Sequence, residues 1–168
     1  VADELDADWG KVRVEAAPAD ASRYNNLEFG PFQGTGGSSS MSNSWEQFRK
    51  AGATARAMLV AAAAAKWGVD AGTLTTENGV VTDPASKRRA SYGSLVGAAA
   101  ALPVPAEVRL KEPREFRLIG KAAPRVDARD KTTGKAAFTQ DVSLPGMLTA
   151  VVAHAPRLGA TVKSFDAT

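Results

Sequence analysis

The sequence predicts an α+β fold, and three patterns along the chain support this prediction. Residues 44–67 place their apolar side chains at helical spacing. Residues 74–81 contain Asn78-Gly79 between two apolar runs, which is typical of a β-hairpin. Residues 144–153 have a β-rich alternation bounded by turns, which predicts that residues 114–168 are dominated by strands. With 168 residues, of which 44% are hydrophobic and 23% charged, the chain has the length and composition of a globular domain.

The N-terminal elements are predicted to be the end of a helix, a strand and then the long helix. Residues 1–10 have the pattern of the last turn of an acidic helix, and residues 11–16 alternate as a half-buried strand does. The long helix is expected to begin at Asn43 or Ser44, either of which can act as its N-cap, and to end at Gly68.

The predicted elements divide the chain into two parts and a linker. After the hairpin, Ser91 is expected to cap a second, alanine-rich helix over residues 92–102. Residues 103–113 are rich in proline and are predicted to form an extended linker. We therefore expect one domain over residues 1–102 and a second, strand-rich and truncated unit over residues 114–168.

Composition excludes several classes of function. The chain has no cysteine, so it forms no disulfide, thiolate metal site or iron–sulfur cluster, and its single histidine, His154, cannot build a histidine-rich metal centre. Residues 1–50 carry five basic and eight acidic side chains, whereas residues 51–168 carry sixteen and ten. This charge is too weak for a nucleic-acid-binding protein, and no aromatic residues interleave with the basic ones. Redox chemistry here would require an organic cofactor or another polypeptide.

A glycine- and serine-rich segment, residues 34–42, directly precedes the long helix. Glycines let backbone N–H groups approach an anion, a helix N-terminus adds N–H donors and partial positive charge, and serines add hydroxyl donors. A phosphate or diphosphate is the ligand that suits this combination. Judged by composition alone, such a segment is more often a flexible surface loop than a phosphate-binding site. The segment also lacks the lysine of a P-loop and the preceding strand of a Rossmann fingerprint.

Two separated stretches resemble the large subunit of molybdenum hydroxylases of the xanthine dehydrogenase and aldehyde oxidase family. The run Thr35-Gly36-Gly37-Ser38-Ser39-Ser40, with Trp45-Glu46 and residues 49–53 after it, resembles the pterin-dinucleotide-binding segment. Residues 118–121, 124–127, 130–136 and 144–148 resemble the a/b hammerhead domain and are the more specific match. Together the two resemblances cover most of residues 30–60 and 117–166.

The order of the two stretches narrows the resemblance. In xanthine dehydrogenases the hammerhead precedes the pterin-binding segment, whereas here the glycine- and serine-rich segment comes first. This order resembles the branch that holds isoquinoline 1-oxidoreductase beta subunits and membrane-associated aldehyde dehydrogenases. The chain starts without methionine and stops directly after a strand-like alternation, so we expect an internal fragment of such a subunit.

The resemblance implies a function for the parent protein. Relatives hydroxylate an N-heterocycle or oxidise an aldehyde with oxygen from water, at molybdenum held by molybdopterin cytosine dinucleotide. It implies a small partner subunit that carries the [2Fe-2S] clusters, a cytochrome c as a further electron acceptor, and contact with the rest of the same large subunit, but no nucleic acid. A periplasmic location after twin-arginine export is expected, with the cytoplasm as the alternative.

The resemblance also assigns residues. The cofactor-contacting loop falls on Thr35, Gly36, Gly37, Ser38, Ser39 and Ser40, with Gly37, Ser38 and Ser40 favoured as phosphate contacts. The family's general-base glutamate is not matched, so no catalytic residue and no metal ligand is assigned, and the fragment alone is expected to be inactive. Two alternatives stay open: a non-catalytic α+β interaction module whose basic second half docks a partner, and a stand-alone phosphate-ligand-binding domain.

Overall fold

A computed structural model describes residues 1–166 and divides the chain into two compact units. The first unit spans Val1–Arg129 and the second begins at Asp130. The helices are Ala21–Tyr24 (α1), Ser39–Trp67 (α2), Tyr92–Ala100 (α3) and Ala128–Thr132 (α4). The strands are Thr75–Glu77 (β1), Val80–Thr82 (β2) and Arg89–Ser91 (β3), and single 3-10 turns lie at Trp9–Lys11, Ala71–Thr73, Pro113–Glu115 and Thr139–Asp141.

The strands form one antiparallel sheet in the order β1-β2-β3. Asn78 and Gly79 join β1 to β2, and both have a positive φ, at 48° and 74°, as the two central residues of a tight hairpin turn require. In the register, Thr76 faces Val81 and Val81 faces Ala90. The predicted hairpin is therefore confirmed, and β3 extends it by a strand that the sequence did not predict.

Helices α2 and α3 pack with β2 around a small hydrophobic core. The buried members of this core are Leu59, Ala62, Ala63, Val81, Leu95 and Ala99. On the α2 side two of the three buried core residues are alanine, and the larger buried side chains are Leu59 of α2 and Leu95 of α3. The second helix is confirmed with its cap, because the Ser91 hydroxyl accepts a hydrogen bond from the Ser94 N–H, although α3 ends two residues before the predicted Leu102.

Three sequence predictions for the first unit need correction. The long helix begins at Ser39, not at Asn43 or Ser44, so the second half of the glycine- and serine-rich segment is its first turn. The strand predicted over residues 11–16 is not formed, because no neighbouring strand offers it hydrogen bonds; Val14 is 71% exposed. Residues 1–10 form separate turns: the Leu5 N–H donates to the Val1 carbonyl, and a 3-10 turn follows from Trp9.

The end of the proline-rich segment 103–113 packs against the N-terminal segment within the first unit. Lys111 is 7% exposed, and its ammonium group contacts carboxylate oxygens of Asp3 and Asp6 at 3.3 and 2.6 Å. Glu4, which is fully buried, accepts from the Lys111 N–H and the Arg49 Nε. The N-terminal segment lies so close to α2 that a Cβ on Gly52 would come within 2.5 Å of the Val1 carbonyl oxygen. The boundary between units therefore falls after Arg129, not within 103–113.

The second unit contains turns but, through residue 166, no strand. The strands predicted for residues 114–168 are thus not formed in the described part, which ends before residues 167 and 168. A strand needs a hydrogen-bonded neighbour as well as an alternating sequence. Large apolar side chains of this unit are exposed: Leu144, Met147, Leu148, Val151, Val152, Leu158, Val162 and Phe165. The division into a molybdopterin-binding part and a hammerhead part stays a prediction. No helix within residues 1–166 is both long and apolar enough to cross a membrane.

Candidate functional site

The glycine- and serine-rich segment turns sharply into α2. Gly37 and Ser38 are both in the left-handed region, with φ of 55° and 57°. A Cβ added at Gly37 would meet nothing within 4 Å, so glycine is favoured there by backbone conformation and not by lack of space. Ser38 is the N-cap residue of α2, but its hydroxyl makes no capping hydrogen bond. The 29-residue helix α2 therefore begins at an open loop, without a side-chain cap.

An open cavity of about 360 Å³ lies beside this helix start. It is lined by residues that precede the segment, by the segment itself and by the first two turns of α2: Tyr24, Asn25, Asn26, Gln33, Gly34, Thr35, Ser40, Asn43 and Ser44. Every one of these side chains is uncharged. A negatively charged ligand in this cavity would consequently be held by neutral hydrogen-bond donors and by the positive end of the α2 dipole.

The amide side chains around the cavity already make hydrogen bonds to other residues of the protein. Asn25 Nδ2 donates to the Gly30 carbonyl at 3.1 Å, and Gln33 Nε2 donates to the Pro18 carbonyl at 3.0 Å. Asn43 Oδ1 accepts from the Leu27 N–H at 2.8 Å. Asn43 thus lies within α2 and connects the helix to the loop at Leu27. It is not the N-cap that the sequence predicted.

The hydroxyl groups around the cavity are available to a ligand. Those of Tyr24, Thr35, Ser40 and Ser44 donate to no other group among residues 1–166. A hydroxyl can rotate to give its proton to a phosphate oxygen, and hydrogen bonds to a charged acceptor are the stronger ones. The donor set therefore fits the diphosphate of a dinucleotide such as the cofactor implied by the family resemblance.

The structure separates the six predicted site residues into two groups. Thr35 and Ser40 line the cavity, and Gly36, Gly37 and Ser38 form the turn that leads from one to the other. Ser39 is 4% exposed, and its hydroxyl donates to the Gly36 carbonyl at 2.8 Å while accepting from Asn26 Nδ2 at 2.8 Å. The Ser39 hydroxyl consequently stabilises the loop and is not available to a ligand.

Sequence reasoning missed most of the cavity wall. Tyr24, Gln33 and Ser44 lie outside the matched motif and are uncharged, so neither charge nor spacing indicated them. Asn26 carries no motif either, and its burial and its hydrogen bonds to Gly34 and Ser39 are evident only from the three-dimensional structure. Neither the cavity nor any other part of residues 1–166 contains a cluster of three or more His, Asp or Glu side chains suited to a metal ion.

Comparison with known proteins relates nearly the whole chain to oxidoreductases. No family model matches the chain. It is 37% identical, over 99% of its length, to the beta subunit of isoquinoline 1-oxidoreductase from Brevundimonas diminuta. It is 34% identical, over its full length, to a membrane-bound aldehyde dehydrogenase (pyrroloquinoline-quinone) of Gluconacetobacter polyoxogenes, and 34% identical, over 95%, to a subunit of nicotinate dehydrogenase from Pseudomonas putida. The chain spans 26%, 22% and 13% of these relatives, respectively.

Proposed function

We propose that this chain, which belongs to the family of the isoquinoline 1-oxidoreductase beta subunit, forms part of the phosphate-binding site for molybdopterin cytosine dinucleotide in a molybdenum hydroxylase. One observation carries the proposal: the matched glycine- and serine-rich segment leads into the N-terminus of α2 beside a cavity with unused hydroxyl donors. Similarity to three oxidoreductases over nearly the whole chain supports the coarser part of the proposal, a role in an oxidoreductase.

The residues of this chain would bind and orient the cofactor and would not carry out the chemistry. Thr35 and Ser40 would donate hydrogen bonds to phosphate oxygens, and the left-handed turn at Gly37 and Ser38 would keep the intervening backbone close to them. When bound, the cofactor would supply the molybdenum centre at which a substrate carbon gains oxygen from water. The chain would thus fix one end of the cofactor and thereby the position of its reactive end.

The wider assignments follow from the family. The parent enzyme would act on an N-heterocycle or an aldehyde, in line with the names of the relatives. Two of those names designate a subunit, which supports further subunits in the parent enzyme. We propose that one of them holds the [2Fe-2S] clusters and that a cytochrome c is a further acceptor. We place the enzyme in the periplasm, with the cytoplasm as the alternative, and expect the 168-residue chain alone to be inactive.

The double variant Thr35→Val with Ser40→Ala tests the cofactor assignment in the full protein as expressed in its host. Each hydrogen bond to a charged group contributes about 1.5–3 kcal/mol, so loss of two should weaken cofactor binding at least about a hundredfold. The measurements are molybdenum per polypeptide, by mass spectrometry, and cytidine monophosphate released by acid. Ser143→Ala, at an exposed serine of the second unit, is the matched control and should retain full occupancy.

Three outcomes separate the alternatives for this site. Reduced molybdenum and cytidine content in the double variant only would support the proposal. Equal occupancy in the double variant, the control and the unmodified protein would remove these hydroxyls from the site. A protein that binds another phosphate ligand, or a quinone, but no molybdenum would instead favour a stand-alone binding domain or a different cofactor, and one that binds neither would favour an interaction module.

A further inference from the structure

We infer that Asn26 is a positioning residue that holds the glycine- and serine-rich loop in its ligand-binding shape. The inference rests on the proposed function of the cavity but concerns a residue outside the motif that suggested it. Asn26 is 5% exposed and lies on the cavity wall. It makes more hydrogen bonds to the loop than any other described residue of that wall.

The Asn26 side chain joins both sides of the loop to α2. Its Nδ2 donates to the Ser39 Oγ at 2.8 Å and to the Gly34 carbonyl at 3.3 Å. Its Oδ1 accepts from the Glu28 N–H at 3.0 Å. The Ser39 hydroxyl in turn donates a hydrogen bond to the Gly36 carbonyl at 2.8 Å. One carboxamide therefore fixes the loop before and after the two glycines that turn into the helix.

The Asn26 backbone closes the preceding turn as well. Its N–H donates to the Phe32 carbonyl at 3.0 Å, and its carbonyl accepts from the Phe29 N–H at 2.9 Å. The segment between Asn26 and Gly34 is thus tied to one residue at both of its ends. Thr35, the first of the two predicted hydroxyl contacts, follows Gly34 directly, so its position depends on the Gly34 carbonyl that Asn26 holds.

Only a carboxamide meets these demands. The site requires two donated hydrogen bonds and one accepted bond from a single small, buried group. A carboxylate at this position would face the Gly34 carbonyl with no proton to donate. Its Oδ1 would still accept from the Glu28 N–H, but burial beside the Gly34 carbonyl would raise the pKa of the carboxyl, so protonation on mild acidification would restore a donor. This chemistry provides a test that simple loss of packing does not mimic.

These contacts lie apart from the hydrophobic core. The hydrogen bonds of Asn26 reach only residues 28–39, whereas the core is formed by α2 from Leu59 onward, β2 and α3. A substitution at Asn26 should therefore loosen the loop with little effect on unfolding of the unit. If Asn26 had only a structural role, its substitution would lower the cofactor content only as far as it lowers the stability of the fold.

The experiment compares Asn26→Asp with Asn78→Asp in the full protein. Asn78 lies in the exposed hairpin turn, far along the chain from the cavity, and its substitution makes the same chemical change. We expect cofactor to dissociate at least about tenfold faster from Asn26→Asp near pH 8, and the difference to shrink toward pH 5 as the new carboxyl is protonated. Asn26→Ser, which keeps one donor and one acceptor, is the second variant should Asn26→Asp not fold.

Hydrogen exchange of the Ser39 amide, whose N–H donates to the Gly36 carbonyl at 3.0 Å, supplies a readout that needs no bound cofactor. The inference predicts faster exchange of this amide in the Asn26 variants than in Asn78→Asp, with melting temperatures equal to that of Asn78→Asp. Unchanged loop exchange, or cofactor loss that only follows a fall in melting temperature, would overturn it. If the unmodified protein holds no molybdenum, the proposed function fails, yet loop exchange still decides the role of Asn26.

Discussion

At the scale of single residues, the fold buries a cluster of paired charges built from Asp3, Glu4, Asp6 and Lys111. Burial raises the pKa of the Asp3 carboxyl, but hydrogen bonds from the Ile119, Arg117 and Leu118 N–H groups and from Lys111 outweigh it and hold that pKa below its ordinary value. Asp6 is contacted by Lys111 at 2.6 Å and by Arg56 at 3.5 Å. The cluster therefore joins the N-terminal segment, α2 and residues 111–119.

Lys111→Met should destabilise the first unit by about 3 kcal/mol, the lower end of the range for removing one partner from a buried ion pair. The low end applies because Arg56 stays within 3.5 Å of Asp6. Lys50→Met is the matched control, since Lys50 pairs with Glu46 on the exposed face of α2 and should cost less than about 1 kcal/mol. Urea unfolding of both variants and of the unmodified protein measures the difference. Equal losses in the two variants would refute the central role of the buried cluster.

The same cluster explains what residue-level reading of the sequence missed. Acidic residues are mostly exposed, so Asp3, Glu4 and Asp6 indicated only the last turn of an acidic helix and not a buried cluster. Arg49 and Arg56 lie seven residues apart, a spacing that puts both on one face of α2 and could have indicated a partner. Their acidic partners nevertheless lie more than 40 residues away in sequence, and single-chain patterns do not pair residues across such distances.

At the scale of elements, predictions succeeded where the structure depends on local chemistry. The Asn78-Gly79 turn and the Ser91 cap each depend on a few neighbouring residues, and both were predicted. The start of α2 was missed because Ser38 occupies a left-handed conformation and caps through no side-chain bond, so the usual capping pattern is absent. The cavity depends on α2 starting at Ser39. Because that start was missed, the sequence predicted a phosphate-binding loop but not the cavity beside it.

Acid should weaken the turn between β2 and β3. The Ser86 hydroxyl and the Arg88 guanidinium, bonded to Asp83 at 2.5 and 3.0 Å, lower the pKa of the Asp83 carboxyl to about 2. Because this folded-state pKa lies below the ordinary value of 3.8, the stabilisation is present above about pH 4 and is lost as pH falls toward 2.

Thermal unfolding followed between pH 5 and pH 2 measures this loss. Asp83→Asn should flatten the acid limb of the profile relative to the unmodified protein. Asp70→Asn is the control, because Asp70 also accepts a hydrogen bond from a turn N–H, that of Gly72, but has no arginine partner among residues 1–166. An Asp83→Asn profile as steep as that of the control would show that the network with Arg88 does not set the acid limit.

At the scale of the whole molecule, the two units differ in how far their apolar side chains are buried. The first unit buries a core between α2, α3 and β2. In the second, the described apolar side chains face solvent, with Leu148 91% exposed and Val151 90% exposed. The alternation that predicted strands there is real in the sequence, but strand formation depends on a neighbour that this alternation does not specify.

Hydrogen exchange can decide whether residues 148–166 are strands in a larger protein. In the 168-residue polypeptide, amides of α2 and α3 around Leu59 and Leu95 should exchange slowly, and those of residues 148–166 should exchange within seconds. In the full protein, pairing with a further strand would slow exchange in 148–166 by orders of magnitude, with an alternating pattern along the segment. Equally fast exchange in both would contradict the strand-rich unit predicted from the sequence, because an exposed, unpaired backbone offers its amides no protection in either setting.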